Sequence, residues 1–399
     1  MNGRWIADAL IEAPIVTSFT RLGYEARRRL AGWTPLDDYD LTGRVIVITG
    51  GTSGLGYAAA EQFARCGATL VVVGRTDERN ERAITELATT TGNPLITQVP
   101  ADMGDLDQVR HLAERLLADH DRLDVLIHNA GALDPERRIA PDGTEATVAS
   151  QVVGPFLLTS LLLDRLAASA PTRVLTMSSG GMYATGLRVS ALEMAPEDYN
   201  GTEQYARAKR AQVTLNEMWA ERYGHRGITF HALHPGWADT PGVDAGLPTF
   251  AKVMGPFLRT PEQGADTLIW LAADETALAS NGRFWLDRAP RPIHKLPTTN
   301  GTDTAERRRR LWSWVAETAD ATTVNTSAPR PAHNGTCERA APSQNAPRVK
   351  VAGGRSATLP ARLRSVSHHF VHEVPDLDLR AVLGVVREVR HGFGAEGSL

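Results

Sequence analysis

The chain has 399 residues, 42% of them hydrophobic, 22% charged and 6% aromatic, with 43 Lys and Arg against 46 Asp and Glu and a formal net charge of -3. That is the balance of a soluble globular protein, and it argues against a chain whose main task is wrapping nucleic acid, because phosphate neutralisation needs a basic surplus. Its two cysteines, Cys66 and Cys337, supply neither a disulfide framework nor a multi-cysteine zinc site, so a reducing cytoplasm is the expected compartment.

No uninterrupted apolar run approaches the ~20 residues of a membrane-spanning helix. Asp8, Glu12 and Pro14 break the N-terminal candidate, and the same charges make it a poor secretory leader. Between Arg4 and Leu30 apolar residues recur at helical spacing (Ile6, Leu10; then Phe19, Leu22, Ala26, Leu30), with Arg27, Arg28 and Arg29 beside them. The pattern predicts two short helices. They pack on the body or on a partner subunit, or they lie as a basic amphipathic segment on a membrane surface.

From Leu41 to about Ala319, β-branched apolar runs alternate with helix-like stretches: Val45–Thr49, Leu70–Val73, Val125–His128, Val174–Met177 and Thr229–Leu233. Strands alternating with helices predict a parallel sheet covered on both faces, with ligands bound beyond the carboxyl ends of the strands. The first run passes directly into Thr49-Gly50-Gly51-Thr52-Ser53-Gly54-Leu55-Gly56 and then into helix-like sequence. A glycine-rich strand-to-helix turn brings backbone N–H groups and a helix N-terminus close to a pyrophosphate. The second run ends at Arg75 rather than at an acidic residue; an arginine there pairs with a 2′-phosphate, which favours NADP(H) while leaving NAD(H) possible.

Ser178 and Ser179 follow the Val174–Met177 run, where a hydroxyl can face the cleft. Tyr205 and Lys209 stand four residues apart in a helix-compatible segment. They share a helix face, and an ammonium beneath a phenol is expected to lower the phenol's pKa from ~10 toward the working pH. His231 and His234 flank the Thr229–Leu233 run with no third ligand, so loop bonding is expected of them rather than metal binding. The segments 180–204 and 237–260 leave strand ends and carry Met182, Tyr183, Leu187, Trp237, Leu247, Phe250, Val253, Met254, Phe257 and Leu258. Together they suggest an apolar carbonyl or secondary alcohol as substrate, although each residue serves equally well in lid packing or a subunit contact. Arg307–Arg310 precede Leu311, Trp312, Trp314 and Val315, a last helix with one packed face. From Asp320 to about Pro360 the composition is too poor in large aliphatics to offset ordering entropy, so disorder is expected, followed by a short helix near Leu379–Arg390.

These motifs, in this order, resemble those of the short-chain dehydrogenase/reductase family over roughly Leu41 to Leu296. Within it, SSGGMY at 178–183, YARAKRAQ at 205–212, HPGWADTPGV at 234–243, EQGADTLIWLA at 262–272 and NGRFWLDR at 281–288 are similar to the member 12 group and its bacterial relatives. The resemblance implies a Rossmann-type doubly wound parallel sheet in one α/β domain (41–319), framed by a helical extension (1–40) and a mostly disordered tail (320–399). It implies that Ser179 holds the substrate carbonyl, that Tyr205 exchanges the proton, and that Lys209 tunes Tyr205 and bonds the nicotinamide ribose. Gly50, Thr52, Ser53, Gly54, Leu55 and Gly56 would surround the pyrophosphate, Asp102 would contact the adenine, and Asn129, Ala130 and Gly131 would line the cofactor. Pro235, Gly236 and Thr240 would flank the nicotinamide. Gln151 stands where the family usually has an Asn that holds a relay water, so slower turnover is expected. The expected activity is NADP(H)-dependent interconversion of an apolar carbonyl and its secondary alcohol; the alternative is a nucleotide-binding scaffold of the same fold. Dimers and tetramers are common in the family, so a homo-oligomer is possible.

Overall fold

A computed structural model describes residues 3–12, 15–246 and 248–320. Leu247, the disorder expected beyond Asp320 and the helix expected near Leu379–Arg390 lie outside the described residues. Eight strands form one sheet in the order β3-β2-β1-β4-β5-β6-β7-β8. They are β1 (Val45–Thr49), β2 (Thr69–Gly74), β3 (Ile96–Pro100), β4 (Val125–His128), β5 (Thr172–Met177), β6 (Ile228–Leu233), β7 (Arg283–Leu286) and β8 (Ala289–Arg291). All neighbours are parallel except β7 and β8. The order reverses between β1 and β4, and that switch point is where a doubly wound sheet opens a ligand crevice.

The central strand shows why its sequence is apolar throughout. Val45 and Val47 enter one core and Ile46 and Ile48 the other, because side chains alternate between faces and both faces are covered. The edges differ. β3 buries only Ile96 and Val99 of its five residues, and β8 carries Pro290, a residue that edge strands tolerate and that blocks further strand addition. The antiparallel β7–β8 hairpin was not foreseen. Its turn holds Asp287 and Arg288, both at φ 53°, rather than the usual glycine or asparagine.

Before the sheet come three helices rather than two: α1 (Gly3–Glu12), α2 (Ile15–Phe19) and α3 (Arg21–Ala31). On one face of the sheet lie α4 (Gly54–Arg65), α5 (Asp77–Thr91) and, later in the chain, the helix Pro261–Ala273; on the other lie α6 (Leu106–Asp119), α7 (Gly154–Ala168) and α8 (Gly201–Tyr223). The run 146–168, which ends in α7, is long and apolar enough to cross a bilayer by composition, but most of it is buried inside the protein. Such an all-round apolar helix is a core element here. The helix Ala305–Thr318 buries Leu311 and Val315 and sets Trp312 against Phe156, Trp219 and Tyr223, covering α7 and α8. Arg308 in its arginine run pairs with Asp303 and Glu217, largely shielded from solvent, and so ties this helix to the body of the protein.

Candidate active site

The glycine turn leaves β1 and enters α4 at the switch point. Gly50 sits at φ 68°, and a Cβ there would lie 2.8 Å from the Ala130 Cα. Both the left-handed backbone and the close approach require glycine. A Cβ at Gly56 would run into the Gly50 carbonyl oxygen and the Asn129 side chain. Asn129 Nδ2 donates to the Thr49 and Gly50 carbonyls (both 3.1 Å), while the Thr49 hydroxyl accepts from the Asn129 and Ala130 N–H groups (both 3.1 Å). Asn129 therefore fixes the turn against the end of β4. Ser53 caps α4 with its side chain making no bond to its own helix, and Thr240 stands 3.5 Å from where a Gly54 Cβ would be. Free N–H groups at an N-terminus beside a narrow glycine cradle fit a pyrophosphate.

Other expected cofactor positions fall along the same rim. Arg75 is exposed just beyond β2, and Thr52 packs beside Gly74. Asp102 lies two residues past β3, its Oδ1 accepting from Gly104 N–H at 2.9 Å. Gly131 follows Asn129 and Ala130, and a Cβ on it would meet the Gln151 side chain at 3.0 Å. Leu55 is half-buried and packs on Gly264, so its part is to hold α4 in place.

The residues expected to react converge between β5, α8 and the loop after β4. Ser179 Oγ accepts from Gly181 N–H (3.1 Å), and the Ser179 side chain acts on the Tyr205 phenol. Ser178, by contrast, is structural: it is buried and donates to the Lys209 carbonyl at 3.1 Å. Lys209 Nζ donates to the Met177 carbonyl (3.0 Å) and lies 5.2 Å from the Tyr205 ring centre. Burial pushes the Tyr205 phenol up to about 12, with the Ser179 side chain working against it, and burial lowers Lys209 to about 7. The expected depression of the phenol by its lysine is thus not met in the polypeptide by itself. Desolvation outweighs the cation when the ammonium is turned to a carbonyl.

Gln151 lies in a π-helical turn, Ala149–Val153, directly before α7. Such turns free a backbone carbonyl from its helical partner. Here Gln212 Nε2 donates to that Gln151 carbonyl at 2.6 Å, and Gln151 Nε2 donates to the Ala132 carbonyl at 2.8 Å. Gln212 was missed from sequence, although its spacing of seven from Tyr205 puts it on the same helix face.

Pro235, Gly236 and Thr240 leave β6 opposite Ser179. Gly236 is at φ 77° and packs against Arg259 and the Phe19 carbonyl. The buried Arg259 donates to the Ser18, Phe19 and Pro235 carbonyls (2.9, 3.0 and 3.1 Å) and to both Asp287 oxygens. Neither Arg259 nor Asp287 carried a sequence signal, since their partners lie far away in the chain. His234 Nδ1 accepts from Gly236 N–H and His231 Nδ1 from Arg283 N–H (both 3.2 Å), the loop bonding expected of these histidines. Met182, Tyr183 and Leu187 face the interior, and Phe250, Met254 and Leu258 form a small cluster with Trp237, Val253 and Phe257. Most of these apolar residues therefore pack on one another.

A sequence profile described as short chain dehydrogenase matches residues 44–246. The human protein named dehydrogenase/reductase SDR family member 12 is 38% identical over 304 residues, 76% of this chain and 92% of its own length. Bovine retinol dehydrogenase 12 is 32% identical, covering 77% of this chain and 98% of its own. Among solved structures, the active-site complex of Pseudomonas aeruginosa RhlG with NADP matches 63% of this chain and 96% of its own at 25% identity, with a TM-score of 0.51. The chain belongs to the short-chain dehydrogenase/reductase family of oxidoreductases, whose members bind a nicotinamide dinucleotide and act on small carbonyl or alcohol substrates.

Proposed function

We propose that this protein is an NADP(H)-dependent oxidoreductase that interconverts an apolar carbonyl compound and its secondary alcohol. The observation that carries the reading is the meeting of Ser179, at the carboxyl end of β5, with Tyr205 and Lys209 on α8, where Lys209 Nζ donates to the Met177 carbonyl and lies 5.2 Å from the Tyr205 ring centre. Bound there, the dinucleotide supplies the hydride. Ser179 and Tyr205 hold the substrate oxygen by hydrogen bonds. A phenol pushed up to about 12 is protonated at neutral pH, so Tyr205 is set to give its proton to a forming alkoxide. Lys209, whose Nζ donates to the Met177 carbonyl beside Tyr205, would bond the nicotinamide ribose. Gln151 keeps an amide, on a longer arm than the family's Asn, so turnover is slower rather than abolished.

The preference for NADP(H) rests on Arg75, exposed beyond β2 and paired with no carboxylate among the described residues. The apolar substrate class is supported by the relatives named retinol dehydrogenase. We place the protein in the cytoplasm, in keeping with a chain of two cysteines. A screen of apolar ketones and aldehydes with NADPH and NADH in parallel tests the whole reading. Turnover with NADPH preferred, and that preference lost in Arg75→Ala, is the expected result. Tight NADPH binding with no turnover across the panel would instead establish the scaffold alternative.

A peripheral membrane contact is favoured by one observation: Leu10, Leu22 and Leu30 are 67%, 51% and 43% exposed on the N-terminal helices, near Arg21, Arg28 and Arg29. Exposed leucines beside arginines suit an anionic bilayer surface. Co-sedimentation of the full chain and a Leu10/Leu22/Leu30→Ser variant with anionic vesicles tests it; equal partitioning of the two removes the reading.

A further inference from the structure

The second of the N-terminal helices ends against the loops that follow β5 and β6. Phe19, the last residue of α2, is 3% exposed. Its ring lies over Gly180, where a Cβ would come 2.7 Å from Cε2, and meets the His234 and Trp237 rings edge-on at 4.5 and 5.7 Å between centres. Its carbonyl accepts from Trp237 N–H at 2.8 Å and from Arg259 Nε at 3.0 Å. One residue from the extension therefore touches both the loop that carries Ser179 and the loop that carries Pro235 and Gly236.

This contact is built, not incidental. Asp287 Oδ2 accepts from Arg27 at 2.6 Å and from Arg259 at 2.9 Å, and Asp287 Oδ1 accepts from Arg259 at 2.6 Å. Arg27 also reaches Asp8 (2.8 Å), Glu12 (2.7 Å) and the Ser18 carbonyl (3.0 Å), while Arg291 and Lys295 pair with the same two acids. Arg27, Arg259 and Asp287 are all buried, and burying charges is costly unless the geometry pairs them fully. Lys295 Nζ additionally lies 5.1 Å from the Phe19 ring centre and 4.8 Å from that of Tyr183.

We propose that the N-terminal extension is a component of the active site and that Phe19 is a positioning residue for the reaction. Its ring sets the separation between the Ser179–Gly181 and Pro235–Trp237 backbones, and thereby the aim of Ser179 at the substrate oxygen. The proposal rests on the reading of Ser179 and Tyr205 as the reacting groups. Gly180 has no side chain of its own, and the three atoms nearest to where its Cβ would lie all belong to the Phe19 ring. A misplacement of about 1 Å at a reacting group costs on the order of 100-fold in rate.

The test uses the full chain and two readouts. In Phe19→Ala, kcat falls on the order of 10- to 100-fold. Dinucleotide affinity falls less than kcat, since the Gly50–Gly56 cradle keeps its own contacts, and Phe19→Leu recovers part of the loss. Arg21→Ala, an exposed change on α3, leaves activity as in the parent. Independently of any substrate, the Gly181 and Trp237 amides exchange hydrogen faster in Phe19→Ala, while those of β1 and β4 keep their rates. If Phe19→Ala fails to fold, the same comparison is made with Phe19→Leu. Unchanged kcat and unchanged exchange in the loops would overturn the proposal. A parent with no turnover on any substrate defeats the functional reading instead, and the exchange comparison still decides this one.

Discussion

The two halves of the proposed cleft, one for the cofactor and one for the substrate, are built by different means. The cofactor half is made of backbone and short-range bonds: Gly50 against Ala130, Asn129 on the Thr49 and Gly50 carbonyls, and a helix that starts within the same stretch of chain. The substrate half is made of side chains brought from the ends of the fold. Arg27, Phe19 and Asp8 come from the first three helices, Arg259 from a loop and Asp287 from a hairpin turn, and they meet behind Gly180 and Gly236. A glycine cradle answers to one ligand chemistry, so its sequence is constrained and recognisable. A wall held by distant ion pairs can be rebuilt around a different substrate while the cradle stays as it is.

The largest effect that sharpens this contrast is expected at their meeting point. Tyr205→Phe should lower kcat/KM by about 100- to 10,000-fold, the usual worth of a positioned proton donor, with NADPH affinity unchanged by fluorescence titration. Next is Asp287→Asn, which keeps a residue tolerant of the turn's positive φ but removes the charge shared by Arg27 and Arg259. Leaving two buried guanidiniums underpaired should cost about 3 kcal/mol in denaturant unfolding. A loss within the error of the extrapolation would mean the substrate wall does not depend on that hub. Gly56→Ala forces a methyl against the Gly50 carbonyl and should weaken dinucleotide binding roughly tenfold while sparing the Asp287 network. An equal fall in stability and binding would break the claimed independence of the halves.

The smallest effect is a pH dependence of the extension's attachment. Burial alone would raise the Asp8 and Glu12 carboxyls, but Arg291 acting on both, together with Arg27 on Asp8 and Lys295 on Glu12, holds them below the usual carboxylate range. A carboxyl depressed in the folded protein contributes stability that is present above its unfolded pKa and lost as pH falls through the folded one. Amide exchange in α1 should therefore quicken below about pH 4, ahead of exchange in β1 and β4. Simultaneous loosening of all three elements would contradict it. Both acids are partly exposed, so solvent screens much of this contribution.

How much of this was legible in the sequence follows the same division. The strands around β1 announced themselves as β-branched runs because both faces of the sheet are buried, and the turn at 49–56 did so because only glycine fits there. Ser179, Tyr205 and Lys209 were readable from a strand end and a helix period. The β7–β8 hairpin was not, since its strands are short and its turn uses Asp287 and Arg288. Phe19 read as one apolar position on a helix, and Arg27 as one of three adjacent arginines. Nothing local told which arginine would be buried, because the partners that bury it lie up to 260 positions away. The direction of the Tyr205 shift was also misread, because spacing reveals the neighbouring charge but not the desolvation that outweighs it.

The most direct measurement of the central claim is isotope transfer from NADPH deuterated at the nicotinamide C4. With an apolar ketone that the full chain consumes, the account predicts deuterium on the carbinol carbon of the alcohol product, and almost none formed by a Tyr205→Phe variant that binds the dinucleotide equally well. NADPH held tightly with no deuterium passed to any carbonyl, or transfer by Tyr205→Phe at the parent's rate, would contradict it.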